Sequence, residues 1–507
     1  MKVLLLDPEG DFPWEERPPD TAGDLTRDLD LGTLADAMSC SETLPADDVL
    51  RVLLSPLTDP DVIEHRQQVL RDCLEHRELM HRLRTTALAA LDEEHSVWPG
   101  LASTPGHVLS HAADVMRVMT GHLHAMRRIA DEYAGRVSSP GLRKLLGSLR
   151  TELHDSWFRT VEEDLEHLRF KKGLALSARL GADLKGTEYV LRVPRRKPGL
   201  RERLLPHETG YTYQVPAHDE NAATDLTGLR DRGTVLAAEA LDTATRHLHD
   251  FLTTLGREAS FYLAAARLHD QLAGAGMPTC FPDITAHPGA VLTCRDVYNP
   301  CLPLAGASTT VGNDIQADSA LLITITGANA GGKTTLLRAL GLAQLMAQAG
   351  LFVAASALST DARDTVLTHF HREEDTTMES GKLDEELVRM NALVTQLTPH
   401  GLVLLNEPFA ATTEREGAEI ARQIIDAFLH AGVKVMLVTH LHELALSLHE
   451  RYQPPRSLFL RAERDATGHR SYKILPGSPR PTAFANDLYT QIFGSPDAPP
   501  SGRDPNR

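Results

Sequence analysis

The sequence predicts a multidomain fold: a long α-helical region carrying a small strand-rich insert, followed by an α/β domain of the P-loop type. Three observations predict it. Apolar residues recur at helical spacing through most of the first half. Residues 171–225 break that rhythm with glycines, prolines and short β-like pieces. Beyond about residue 290, apolar strands alternate with helical stretches, and one of them runs into Gly327-Ala328-Asn329-Ala330-Gly331-Gly332-Lys333-Thr334.

Residues 1–30 are acidic and turn-rich, with Pro8, Pro13, Pro18 and Pro19, and read as an irregular lead-in. Only a short apolar run precedes Asp7, Glu9 and Asp11, so no secretory signal is read. Residues 31–272 read as helical. Asp59-Pro60 offers a capping side chain and a proline at the first helical position. Arg66, Val69 and Cys73 follow at helical spacing, and Val115, Met119, His122, Met126 and Ile129 share one face as packing residues. The insert holds Tyr189-Val190-Leu191 and Tyr211-Thr212-Tyr213. After it, Leu241, Ala244, Leu248, Phe251, Leu255, Ala259, Tyr262 and Ala266 form a seam made to pack along another helix. Gly274, Gly276, Pro278, Pro282 and Pro288 mark a linker. Strands at 321–326, 401–405 and 433–438 then belong to the α/β domain, 290–494, and a Pro/Asp/Ser/Arg-rich tail, 495–507, reads as disordered.

Composition narrows the setting. No apolar run reaches the roughly 18 residues that span a bilayer, so no membrane association is expected. Five cysteines, with no CxxC or Cys/His spacing, argue for reduced thiols and a cytoplasmic location rather than a disulfide framework or zinc site. A net charge of −17 counts against coating nucleic acid with the whole surface. It leaves room for a local patch. Arg192, Arg195, Arg196, Lys197, Arg201 and Arg203 crowd one stretch of the insert and would suit DNA phosphates; the ordinary alternative is a solvated basic loop.

The chemistry lies in three elements of the second half. The loop 327–334 fits the Walker A pattern and stands between a strand and a helix, as phosphate binding requires. Gly327, Asn329, Gly331 and Gly332 let backbone N–H groups face phosphates, with the helix N-terminus behind them. Lys333 is expected to reach the β- and γ-phosphates of ATP, Thr334 to ligate Mg²⁺, and Thr335 to complete the site. The strand Leu402-Val403-Leu404-Leu405 ends in Asn406-Glu407, where Mg²⁺-binding ATPases place Asp then Glu. Asn406 keeps a carbonyl oxygen without the charge, which predicts weak Mg²⁺ binding. Glu407 is the candidate for activating water, against a plain strand-end carboxylate. Third, Thr439-His440 ends another apolar strand, which suits a γ-phosphate sensor.

Taken together these elements resemble the ATPase domain of the MutS family of DNA mismatch-repair proteins. Thr326 through Thr335 is similar to that family's TGPNMGGKST loop. Leu405-Asn406-Glu407 with Thr412-Thr413 and Glu416-Gly417 resembles LMDE…GTST…DG, and Thr439-His440-Leu441-His442-Glu443-Leu444 resembles THYxEL. Val311-Gly312-Asn313-Asp314 and the Pro476-Gly477 turn have counterparts too. Upstream, 53–74 with Arg66-Gln67 resembles the core segment before the family's lever arms, and the insert would sit where the DNA clamp lies.

The resemblance implies an ABC-like ATPase domain and an ATP-dependent DNA-binding protein, a nucleotide-gated homodimeric clamp in DNA repair or DNA-structure processing. Slow ATP hydrolysis is expected because of Asn406. Ser380 and Glu386 partly echo the STFxxEM signature that approaches the partner's γ-phosphate. Thr310 falls where relatives place an adenine-stacking aromatic. No counterpart of the mismatch-reading domain, with its Phe-x-Glu wedge, is expected. One alternative is a non-hydrolysing, ATP-bound scaffold. The other is an ABC or SMC-type ATPase, which the short spacing from Lys333 to Asn406 and the missing LSGGQ disfavour.

Overall fold

The computed structural model describes residues 1–39, 44–97, 104–170, 174–180, 182, 186–192, 220–285, 290–328, 330–372, 382–410, 412–464 and 470–480. The chain divides into two units that do not follow chain order. One comprises Met1–Phe12 and Arg71–Leu263, the other Pro13–Leu70 and Ala264–Arg507. Among the described residues no helix is long and apolar enough to cross a membrane.

The first unit is helical. Helices Arg77–Ser96, Pro105–Tyr133, Pro140–Glu152 and Asp155–His167 precede the long helix Glu220–Gly274, most of which belongs here. Pro105 and Pro140 stand in first turns, after Thr104 and Ser139 in extended backbone. A proline there gives up no helical hydrogen bond. Val115, Met119, Met126 and Ile129 are buried, while His122 keeps to the edge and meets Glu93 at 3.2 Å. The predicted seam packs: Leu241, Ala244 and Leu248 lie against Ala113, Met116 and Leu165.

Two buried carboxylates tie this unit's backbone. Asp72 accepts the N–H groups of Ser138 and Ser139 and the Ser138 hydroxyl, just before helix Pro140–Glu152. Glu258 is fully buried and accepts the N–H groups of Leu5 and Leu6 at 3.0 and 3.1 Å. Tyr262 donates its hydroxyl to the Leu5 carbonyl. Burial pushes the Glu258 carboxyl up to about 7. Strands Leu176–Leu180 and Gly186–Leu191 pair antiparallel, with Leu176 opposite Leu191. Gly233 of the long helix accommodates this hairpin, since a Cβ there would come 2.3 Å from the Leu176 side chain.

The second unit is α/β. Its six-stranded sheet runs in the order Arg470–Pro476, Ser457–Arg464, Leu322–Thr326, Lys434–Val438, Leu402–Asn406, Val366–Phe370. Only the Arg470–Pro476 edge strand is antiparallel to its neighbour. The central strands are mostly apolar and buried because both sheet faces are covered. Val403, Leu405, Val435 and Leu437 pack with Ala421 and Ile425 of helix Glu414–His430. Leu404 points to the other face, toward Gly341 of helix Lys333–Gln348. A four-stranded sheet of Asp283–Thr285, Ala357–Asp361, Leu292–Val297 and Asn313–Gln316 completes the unit.

Two expectations change. Residues 1–30 are not irregular throughout: Ala22–Leu29 is a helix whose Leu25 and Leu29, four apart, bury one face. Residues 31–70, read from sequence as the start of the helical region, group with the α/β unit instead. The reason is a set of side-chain bonds to distant backbone. Arg66 donates to the Ala349 carbonyl at 3.3 Å, Gln67 to that of Pro282 at 3.1 Å, and Gln348 to that of Leu57 at 2.7 Å.

Sheet register decides where chemistry can occur. Val438 pairs with both Ile325 and Asn406, so three neighbouring parallel strands end level with one another. The turns beyond them, at Gly327, Glu407 and Thr439, therefore share one edge of the sheet, where open α/β sheets bind ligands.

Candidate functional site

The first turn leaves the buried strand Leu322–Thr326 with positive φ at Gly327 (120°), Ala330 (57°) and Gly332 (88°) before the helix begins at Lys333. At Gly327 a side chain would also collide, its Cβ standing 3.0 Å from that of Ala462. Lys333 is 5% exposed and folds back over the loop, donating Nζ–H bonds to the Gly327 and Ala328 carbonyls at 3.0 Å each. Burial lowers the lysine's proton affinity, and the Glu407 carboxylate works against that fall.

Thr334, one residue into the helix, donates its hydroxyl to the Asn406 side-chain carbonyl at 2.9 Å. The two oxygens thus stand side by side, both neutral, and the hydroxyl keeps its lone pairs for a cation. This donor set fits Mg²⁺ carried in by phosphates, because that ion retains waters and draws few ligands from protein. Among the described residues no cluster of three or more His, Cys, Asp or Glu side chains could hold a metal by itself.

Glu407 follows Asn406 in left-handed backbone, φ 53°, with its N–H bonded to the Val438 carbonyl at 2.8 Å. Its Oε2 meets His440 Nδ1 at 3.2 Å. The hydrogen bond to His440 draws the Glu407 carboxyl below the usual carboxylate range, with burial opposing. The same bond raises His440 above an ordinary histidine. Neither side chain is sealed: they are 27% and 43% exposed, so solvent reaches the pair.

Beside the loop lies a cavity of about 700 Å³, lined in part by Ala330, Gly332, Thr335, Asn299, Thr309 and Tyr472. Thr310, expected at an aromatic's position, is not itself among the residues that line this cavity, which Tyr298 and Tyr472 supply with aromatic rings. Tyr472 comes from the edge strand and lies against the loop, its Cδ1 3.7 Å from where a Gly332 Cβ would stand. Asn313 accepts the Ile474 N–H at 2.7 Å, which fixes that strand beside the cavity. Sequence reading missed Tyr472; the signal was a lone aromatic just ahead of the Pro476-Gly477 turn.

The structure thus brings together Gly327, Gly331, Gly332, Lys333, Thr334, Asn406, Glu407 and His440, with Thr335 at the adjoining cavity. Asn329 and Ser380 lie outside the described residues. Glu386 is 4% exposed and committed within its own chain, accepting bonds from the Phe409 N–H and His369. In the hairpin of the helical unit, Arg192 donates to the Ser177 hydroxyl at 2.9 Å. Arg195, Arg196, Lys197, Arg201 and Arg203 lie outside the described residues.

Comparison with known proteins supplies the lineage. Residues 58–275 match the family model of the MutS2 N-terminal domain, and residues 323–477 that of MutS domain V. The chain belongs to the MutS family. It is 40% identical over 148 residues to an Endonuclease MutS2 of Thermus thermophilus, which covers 29% of this chain and 19% of that relative. A DNA mismatch repair protein MutS of Chloroflexus aurantiacus is 30% identical over 194 residues, covering 37% of this chain and 20% of the relative. An Endonuclease MutS2 of Lacticaseibacillus casei is 35% identical over 186 residues, covering 36% and 23%. The matched stretches thus span about a fifth of the length of these curated relatives.

Proposed function

We propose that this MutS-family chain binds ATP with Mg²⁺ at the strand-end site, hydrolyses it slowly, and uses the nucleotide state to control binding to DNA as a homodimer. One observation carries the reading. A Walker A loop, a strand-end Glu and a strand-end His leave three adjacent parallel strands at the same level. The roles follow from the groups. The loop's N–H groups and the Lys333 ammonium bind phosphates, and the cavity with Tyr472 receives the base. Thr334 and Asn406 would hold Mg²⁺, which when bound neutralises phosphate charge. Glu407, ionised and reachable by solvent, orients a water and accepts its proton. His440 fixes the Glu407 carboxylate and stands where it can report on the terminal phosphate.

DNA contact is assigned to the basic stretch that begins at Arg192, since several cations close together in sequence suit phosphates even on an acidic chain. The division proposed is a helical core and lever region at 31–272, of which 31–70 group with the α/β unit, with a clamp-like insert at 171–225, then an ATPase domain at 290–494.

Asn406 favours a second reading, an ATP-bound scaffold that does not turn over, because the missing carboxylate weakens the metal site. Phosphate release measured with and without DNA separates the two. Slow, DNA-responsive turnover is expected. ATP binding with no release over hours would leave the scaffold, and no ATP binding would remove both readings.

A further inference from the structure

We propose that Glu386 is a positioning residue that fixes Glu407 through the backbone of the loop following it. The inference rests on the ATPase reading above and adds a residue to it. Glu407 and Phe409 both adopt left-handed backbone, at φ 53° and 57°, though neither is glycine. Such a conformation persists only where the surroundings hold it, and it gathers at functional sites.

Each restraint on this loop is visible. The Glu407 N–H is bonded to Val438 in the neighbouring strand. The Phe409 N–H donates to Glu386 Oε1 at 2.6 Å. The Phe409 carbonyl sits over Gly417, where a Cβ would come within 2.4 Å of it. The Phe409 side chain is 1% exposed, in the core of the sheet face. Without the Glu386 bond, a buried N–H in strained backbone would have lost its acceptor.

Glu386 is itself held. Its Oε1 also receives His369 Nε2 at 3.3 Å, and His369 pairs with Leu405 in the adjacent strand. Burial favours the neutral acid, but His369 and the Phe409 N–H hold the carboxyl below the usual carboxylate range. An ionised carboxylate in an apolar core needs such donors, and here one of them is the loop that carries Glu407.

The test compares Glu386→Ala, Glu386→Asp and Glu386→Gln with the full-length wild type. Equilibrium ATP binding, kcat and KM are measured, with amide hydrogen exchange of the segment 407–410, whose amides are those of Glu407, Phe409 and Ala410. Displacing a catalytic group by about 1 Å costs on the order of 100-fold. Ala and Asp, the latter keeping charge but not reach, are therefore expected to lower kcat by about 100-fold with KM within about twofold. Exchange at 407–410 rises at least about tenfold. Gln retains the acceptor and recovers kcat to within about threefold.

Folded Ala and Asp variants with wild-type kcat and unchanged exchange would overturn the proposal, as would a Gln variant no better than Ala. If Ala does not fold, Asp and Gln carry the same contrast. If the wild type itself shows no turnover, the ATPase reading fails. The exchange contrast among the variants then still decides whether Glu386 holds the loop.

Discussion

The two units use the same side chain in opposite ways. In the helical unit, Glu258 is sealed and accepts the N–H groups of Leu5 and Leu6, fastening the chain's start. In the α/β unit, Glu407 sits half-buried at a strand end, paired with a titratable His440 and within the field of Lys333. Burial drives Glu258 toward the neutral acid, whereas the His440 bond keeps Glu407 ionised. The difference teaches how a structural carboxylate is told from a chemical one. The first has its partners fixed in backbone; the second keeps a titratable partner and a path to water.

That contrast can be broken most sharply at Lys333. Lys333→Ala removes the cation facing the phosphates and is expected to weaken ATP binding about 100-fold, since charged hydrogen bonds of this kind contribute up to about 3 kcal/mol. Amide protection in helix Pro105–Tyr133 of the helical unit is expected to stay unchanged. Isothermal titration and hydrogen exchange on the same sample check both halves.

Glu258 gives the next largest effect, in the other unit. Its folded-state value, about 7, lies above the ordinary 4.5. Its contribution is therefore full below the unfolded value and is lost as pH rises to about 7. The loss is on the order of 3 kcal/mol. Unfolding of the helical unit followed from pH 4.5 to 8 is expected to show falling stability in the wild type. In Glu258→Gln that slope disappears. A wild-type profile flat across this window would remove the contrast.

The smallest effect sharpens the α/β side. Asn406→Asp restores a negative oxygen beside Thr334, 2.9 Å away in the present pairing. The Mg²⁺ concentration for half-maximal turnover is expected to drop several-fold. A titration showing no drop would mean the neutral amide already serves the metal as well as a carboxylate.

Much of this was legible in the sequence, for a physical reason. The Walker A loop, Asn406-Glu407 and Thr439-His440 are local patterns: each needs only a strand, a turn and the residues in it. Three of the parallel strands, near 322–326, 402–406 and 434–438, declared themselves as mostly apolar runs because both their faces are covered, whereas Val366–Phe370 and Ser457–Arg464 did not. What escaped depends on pairing across the chain. Tyr472 reaches the cavity only because the edge strand lies beside the loop, and no spacing near 472 announces that. Glu386 was read toward a partner's phosphate because its neighbours echo a motif; its bond from the Phe409 N–H joins distant parts of the chain and no local pattern announces it. Residues 31–70 look like ordinary helices of the helical region, and bonds such as those from Arg66, Gln67 and Gln348 reveal which unit they join.

The central claim is that Glu407 drives hydrolysis at a site whose binding groups stand apart from it. Single-turnover hydrolysis of pre-bound ATP, wild type against Glu407→Gln, tests it most directly. Gln retains the shape of the side chain but cannot accept the water's proton. The account predicts ATP affinity within about threefold of wild type and a hydrolysis rate at least about 100-fold lower. Hydrolysis by Glu407→Gln at the wild-type rate would contradict it.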